Sequence, residues 1–173
     1  LLSAISLAET GRTLKNGEYL AWPWTVNLGG KGSFFKNKES AIKYVKESIK
    51  KGKKNIDIGC MQVNLLYHPK AFESLDNAFD PIINSMWAAS FLEKLQKQHK
   101  SWKKATGFYH SSRVNRRKNY SNKVFNIWAN IQNTRLAENS VPKKLVKAKN
   151  IQIATQDPNK VKIVVKPNTN IEN

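Results

Sequence analysis

The stretch Asp80-Pro81-Ile82-Ile83-Asn84-Ser85-Met86-Trp87-Ala88-Ala89-Ser90-Phe91-Leu92-Glu93-Lys94-Leu95 reads as a helix both from its start and from its repeat. Asp80 supplies a capping carboxylate, and Pro81 suits the first helical position. Ile83, Trp87, Phe91 and Leu95 then recur every fourth residue. Such a stripe predicts the central buried helix of a mainly α fold. Downstream, Ser101 can cap a helix whose inner face is Trp102, Ala105 and Tyr109, and Tyr120, Val124, Ile127, Trp128 and Ile131 outline a last one. Upstream, Asn37 can cap a helix carrying Ile42, Val45 and Ile49, with Gly52 where it would stop. Leu1, Ile5 and Ala8 share one face of a helix over residues 1–11, so five helices are expected. The interruption is 19–35, where aromatic and β-branched residues flank Gly29-Gly30-Lys31-Gly32, the pattern of a β-hairpin. The expected fold class is mainly α, an α+β helical domain with a small hairpin.

The chain has 173 residues with 30 Lys+Arg against 12 Asp+Glu, a net charge of +18, and a hydrophobic fraction of 40%, enough for a packed core. No run of about 18 or more uncharged apolar residues is present, which excludes a spanning helix within this sequence. Residues 1–134 carry 22 basic and 9 acidic side chains, and 135–173 carry 8 and 3. Beyond Arg135 the composition turns to Lys, Asn, Val and Pro, with β-branched content only at Lys162 to Val165, so burial there looks too small to offset ordering. The expected organisation is one domain over 1–134 and a basic, flexible tail over 135–173. The opening Leu1 to Ala8 lacks a basic leading segment and a cleavage site, so it reads as helix, with any export signal already removed.

The single cysteine, Cys60, cannot form an internal disulfide, and His68, His99 and His110 are too widely spaced for a local ligand pair. No metal and no organic cofactor is implied. The Gly29–Gly32 run lacks the loop length and following helix of a phosphate loop. Three clusters carry chemistry. Glu9 ends an apolar helical segment, where desolvation would hold a carboxyl protonated near neutrality, as an acid that protonates a glycosidic oxygen must be. On position alone an exposed edge near Arg12 or Lys15 is the commoner placement for such a residue. Asp57-Ile58-Gly59-Cys60-Met61-Gln62-Val63-Asn64 presents amides that both donate and accept, suited to hydroxyl and N-acetyl groups, or is a strand or helix start with buried Cys and Met. Gly107-Phe108-Tyr109-His110-Ser111-Ser112 brings a phenol and an imidazole to a helix end, or is an ordinary core Tyr with a surface His.

In this order and spacing, Ala8-Glu9-Thr10-Gly11, Gly59-Cys60-Met61-Gln62-Val63-Asn64 and Tyr109-His110-Ser111 resemble the catalytic domain of the soluble lytic transglycosylases, within the lysozyme-like superfamily. The resemblance covers about residues 1–130. Thr10 stands where the family has serine, Cys60 where it has leucine and His110 where it has asparagine, and Trp22 through Asp57 looks like a subgroup insertion.

The resemblance implies a lysozyme-like α+β fold and cleavage of the MurNAc-β-1,4-GlcNAc bond of peptidoglycan to 1,6-anhydro ends. Glu9 would be general acid and base, and Met61, Gln62, Asn64, Tyr109, His110, Asp57 and Trp24 would line the substrate. Tyr109 is expected to hydrogen-bond Glu9 or the sugar. Trp22 and Trp24 could stack on sugar faces or simply be hairpin core. A lysozyme-type hydrolase would need Asp57 or Glu18 as partner carboxylate. A binding-only glycan domain, or a nucleic-acid module using Lys50 to Lys54 and Arg113, Arg116, Arg117 and Lys118, are the remaining classes. The last lacks any recognisable nucleic-acid motif. Expected partners are peptidoglycan strands and cell-envelope or secretion-system proteins, with a periplasmic or envelope location.

Overall fold

In the computed structural model, which describes residues 1–140, α1 (Leu2–Thr10) gives way at once to β1 (Gly11–Thr13), paired antiparallel with β2 (Tyr19–Ala21). Gly11 permits this junction because a Cβ there would overlap Tyr19 Oη and the Leu7 carbonyl. Of the hairpin expected over 19–35, the part from Thr25 to Phe34 is present, whereas Tyr19–Ala21 pair with β1 instead. β3 (Thr25–Leu28) and β4 (Lys31–Phe34) pair in the register Leu28 opposite Lys31, and the chain turns on Gly29-Gly30 with both glycines at positive φ. β3 also pairs with β5 (Ile56–Ile58), which pairs with β6 (Val63–Asn64), giving a four-stranded antiparallel sheet in the order β4-β3-β5-β6.

Local capping chemistry sets the helix starts. α2 (Lys38–Lys50) begins where Asn37 Oδ1 accepts from Ser40 N–H at 3.0 Å. Ser74 caps the short α3 (Leu75–Ala78) in the same way. Asp80 Oδ1 accepts from the amides of Ile82 and Ile83 at 2.8 and 3.0 Å to open α4 (Pro81–His99). Ser101 caps α5 (Trp102–His110), and α6 (Val114–Ser140) completes the described chain. Among the described residues six helices, a two-stranded and a four-stranded antiparallel sheet make the domain mainly α, of α+β class. α6 runs past the boundary set at 134, and the rest of the expected tail, with its strand-like Lys162 to Val165, lies outside the described residues.

The buried faces depart from the expected stripes. α4 buries Asn84, Ala88, Leu92 and Leu95, whereas Ile83 is exposed and Trp87 and Phe91 are half-buried. α2 buries Ala41, Val45 and Ser48 and leaves Ile49 exposed. α5 buries Ala105, Thr106 and Gly107, with Trp102 exposed. The common reason is closeness: each helix turns small residues toward its neighbour and sets bulky ones at the rim. Two cores result. One joins α1, α4, α5 and α6 through Ile5, Ala88, Leu92, Ala105 and Val124. The other lies under the sheet around Val26, Val45, Ile56, Ile58 and Phe79. The turn between β5 and β6 spans both, since Ile58 enters the sheet core while Cys60, Met61 and Val63 enter the helical one. No helix among the described residues is long and apolar enough to cross a membrane.

Candidate active site

The β5–β6 turn is held from three directions, and Glu9 stands beside it. Gly59 and Gln62 both lie at positive φ, 79° and 49°, so the chain reverses within four residues. A Cβ on Gly59 would overlap the Asn84 side chain, which passes directly against it. Asn84 is fully buried and fully used: Oδ1 accepts from Met61 N–H at 2.9 Å, and Nδ2 donates to the carbonyls of Ile58 and Ala78 at 3.2 and 3.0 Å. Tyr109 Oη donates to the Met61 carbonyl at 2.8 Å, and Thr10 Oγ1 lies within hydrogen-bond reach of the carbonyls of Cys60 and Ser6, at 3.0 and 3.1 Å. Thr10 therefore ties the end of α1 to the turn. Lys123 Nζ, from α6, donates to the Ala8 carbonyl at 2.8 Å and satisfies one of the last helical acceptors.

These ties fix Glu9, whose side chain is only 15% exposed, at the wall of a cavity of about 410 Å³. His110, Arg116, Asn119, Tyr120 and Lys123 share that wall. His110 Nδ1 stands 3.9 Å from Glu9 Oε1, too far for a hydrogen bond, while its ring lies parallel to that of Tyr120 with centroids 4.3 Å apart. Tyr120 Oη is buried and has no hydrogen-bond partner among the described residues. Burial, followed by the negative charge of Glu9, raises the Tyr120 phenol above its ordinary value, so it stays protonated beside the carboxylate. Burial first, then the charge of Glu9, holds Tyr109 well above the usual phenol range. Asp57, on β5, is raised as well. Burial is the main cause, the Glu9 carboxylate adds to it, and the Asn64 hydrogen bond and His110 oppose it.

Of the residues singled out in the sequence, Glu9 and His110 share the cavity, and Asp57 and Tyr109 stand within electrostatic reach of Glu9. Others are placed differently. Met61 is 1% exposed, so its thioether is core and cannot line a subsite. Trp24 is 7% exposed and packs edge-on against Trp22, which makes it hairpin core, and the Trp22 indole donates to the Phe35 carbonyl at 2.7 Å. Tyr109 donates its hydrogen bond to the Met61 carbonyl rather than to Glu9. Asn64 is occupied internally: Nδ2 donates to Asp57 Oδ1 and Asn55 Oδ1, and Oδ1 accepts from the amides of Leu66 and Tyr67. Gln62 Nε2 donates to the carbonyls of Gly59 and Thr25, leaving its Oε1 as the part able to meet a ligand. Four residues were missed as site components: Tyr120, Asn119 and Lys123 in the cavity, and Asn84 behind the turn. Only Asn84 left a trace, an amide interrupting the apolar register Ala88, Leu92, Leu95.

Cys60 is buried with its thiol raised by burial, an inert packing group. Among the described residues no group of three or more His, Cys, Asp or Glu side chains is placed to hold a metal ion. No family model, curated protein or solved structure matches the chain. The site is therefore read from its own geometry. One carboxylate, its side chain 15% exposed, stands beside an imidazole and a neutral phenol in an open cavity.

Proposed function

We propose that this protein is a lytic transglycosylase of peptidoglycan, acting in the periplasm or cell envelope, with Glu9 as its acid and base. The observation that carries this reading is the Glu9 carboxylate, shielded yet open to a cavity, at the junction of α1 with the Gly59–Asn64 turn. Protonated Glu9 donates to the glycosidic oxygen between MurNAc and GlcNAc, and the C1–O bond breaks. The muramic acid acetamido group stabilises the cationic C1. Glu9, now a carboxylate, takes the proton of the C6 hydroxyl, whose oxygen closes onto C1 as the 1,6-anhydro ring. The proton count balances on one residue and no water is consumed.

Asp57 favours a second reading. Its carboxyl is raised partly by the charge of Glu9, so a second acid group lies within electrostatic reach of the first, as lysozyme-type hydrolysis would need. Product analysis separates the two. Sacculi treated with the wild-type protein should release muropeptides with anhydro ends, one water lighter than reducing-end products, and Glu9→Gln should release none while still binding glycan. Reducing-end products would replace the transglycosylase reading with hydrolysis. Full activity of Glu9→Gln would remove Glu9 from both.

A further inference from the structure

The cavity beside Glu9 carries more positive charge than a neutral sugar requires. Arg116 and Lys123 lie seven residues apart on α6, with Asn119 between them, a spacing that turns all three to one helix face. Among the described residues neither cation has a carboxylate within 4.0 Å, and the only cationic candidate that close to Glu9 is His110. Lys123 spends one N–H on the Ala8 carbonyl and keeps two, and Arg116 has no side-chain hydrogen bond among the described residues. Two cations without a carboxylate partner among the described residues, both exposed to solvent, thus share a cavity wall with the proposed acid, although Glu9 itself pairs with neither.

We propose that Arg116 and Lys123 form an anion subsite that receives a carboxylate carried by the substrate next to the bond being cut. Resting on the transglycosylase reading, the ligand group is a carboxylate of the muramic acid substituent, either the lactyl acid itself or an acid of the attached stem peptide. Arg116 offers a planar donor fork that matches a carboxylate, and Lys123 a second charge anchored by Ala8. Asn119 supplies a neutral amide for the adjoining polar atoms. The subsite selects substituted over neutral glycan and sets which sugar lies over Glu9.

The test is binding of soluble glycan strands in the Glu9→Gln background, where strands stay whole, with three substrates. These are stem-bearing strands, strands trimmed to the free lactyl acid, and strands whose carboxylates are converted to methylamides. Arg116→Gln and Lys123→Gln should each weaken binding of carboxylated strands about 3- to 5-fold, and the pair about tenfold or more, at low salt. Lys123→Arg should restore most of the loss, and methylamide strands should bind all variants alike. Whichever carboxylated strand loses more identifies the source of the acid. Lys50→Gln with Lys54→Gln removes the same charge far along the sequence from α6 and should leave the preference intact. Equal loss in that control, equal loss for methylamide strands, or no binding of stem-bearing strands by the parent overturns the subsite. Charge-selective binding without anhydro products from the Glu9 protein would sustain the subsite and sink the proposed function. Anhydro products without charge selectivity would do the reverse.

Discussion

Asp57 is the residue whose energetics run against the fold. Burial and the charge of Glu9 raise its carboxyl, so between its unfolded and folded values the native state holds more protons than the unfolded chain. Stability from this group is therefore present below the ordinary value of 3.8 and is lost as pH rises through the raised folded value. Asp57→Asn keeps an oxygen to accept from Asn64 Nδ2 but cannot ionise. The variant should match wild type in melting temperature at the acid end and exceed it near neutrality, with the gap opening above the ordinary carboxylate range. Melting curves from pH 3 to 8 check this, and a gap that closes as pH rises would reverse the assigned sign. If Asp57 also serves as a partner carboxylate, that stability gain is accompanied by lost turnover, the usual exchange at a site that stores unfavourable charge. Asn84 presents the opposite case, a buried polar group with every bond made. Asn84→Ala orphans one amide and two carbonyls and should cost about 3 kcal/mol or more. Gly59→Ala should cost a similar amount, because its methyl would overlap Asn84 and its φ is left-handed. The double variant should lose less than the sum, since the methyl enters space that Asn84 has left, and urea unfolding of the three proteins measures that coupling. Strict additivity would mean that the two residues do not share the site.

At the scale of elements, what could be read from the sequence was what is local. The caps at Asn37, Asp80 and Ser101 and the Gly29-Gly30 turn depend on a few neighbouring residues, and each appears where the residues alone put it. Helix faces were legible only in part. Which side of α2, α4 or α5 is buried depends on the surface it meets, and close approach favours Ala41, Ala88 and Gly107 over Ile42, Trp87 and Phe108 one position away, while Ala105 is buried as expected. β5 and β6 were not legible as strands, because segments of three and two residues have no period of their own: β5 gains its pairing from β3, about 30 residues earlier in the chain, and β6 from β5. The same division runs through the site. Glu9 and His110 come from helix ends whose positions were readable, and they meet in one cavity. Met61 and Trp24 belong to segments whose side-chain direction is set by long-range pairing, and both point into core. Tyr120 was legible as an inner-face residue of its helix, but its place beside Glu9 depends on how α6 crosses α1.

At the scale of the whole molecule, one quantity acts on stability and binding with opposite signs. A net charge of +18 on 173 residues repels itself in the compact state and attracts any polyanionic surface. Among the described residues only two ion pairs join a lysine to a carboxylate, Lys38 with Asp76 and Lys97 with Glu93, so most of the positive charge meets solvent unpaired. Raising sodium chloride from 50 to 500 mM shortens the screening length from about 14 Å to about 4 Å. The self-repulsion then weakens and the melting temperature should rise. If the proposed function holds, attraction to the carboxylates of peptidoglycan weakens over the same range, so binding to sacculi should fall, with the loss appearing in KM and association rate more than in kcat. Arg116 and Lys123 are exposed on α6, so the preference for carboxylated over methylamide strands should weaken over the same range of salt. Melting curves and sacculus binding measured across the same salt series separate the two effects. Affinity that stays flat while stability climbs would mean that the positive surface is not what brings this domain to its substrate.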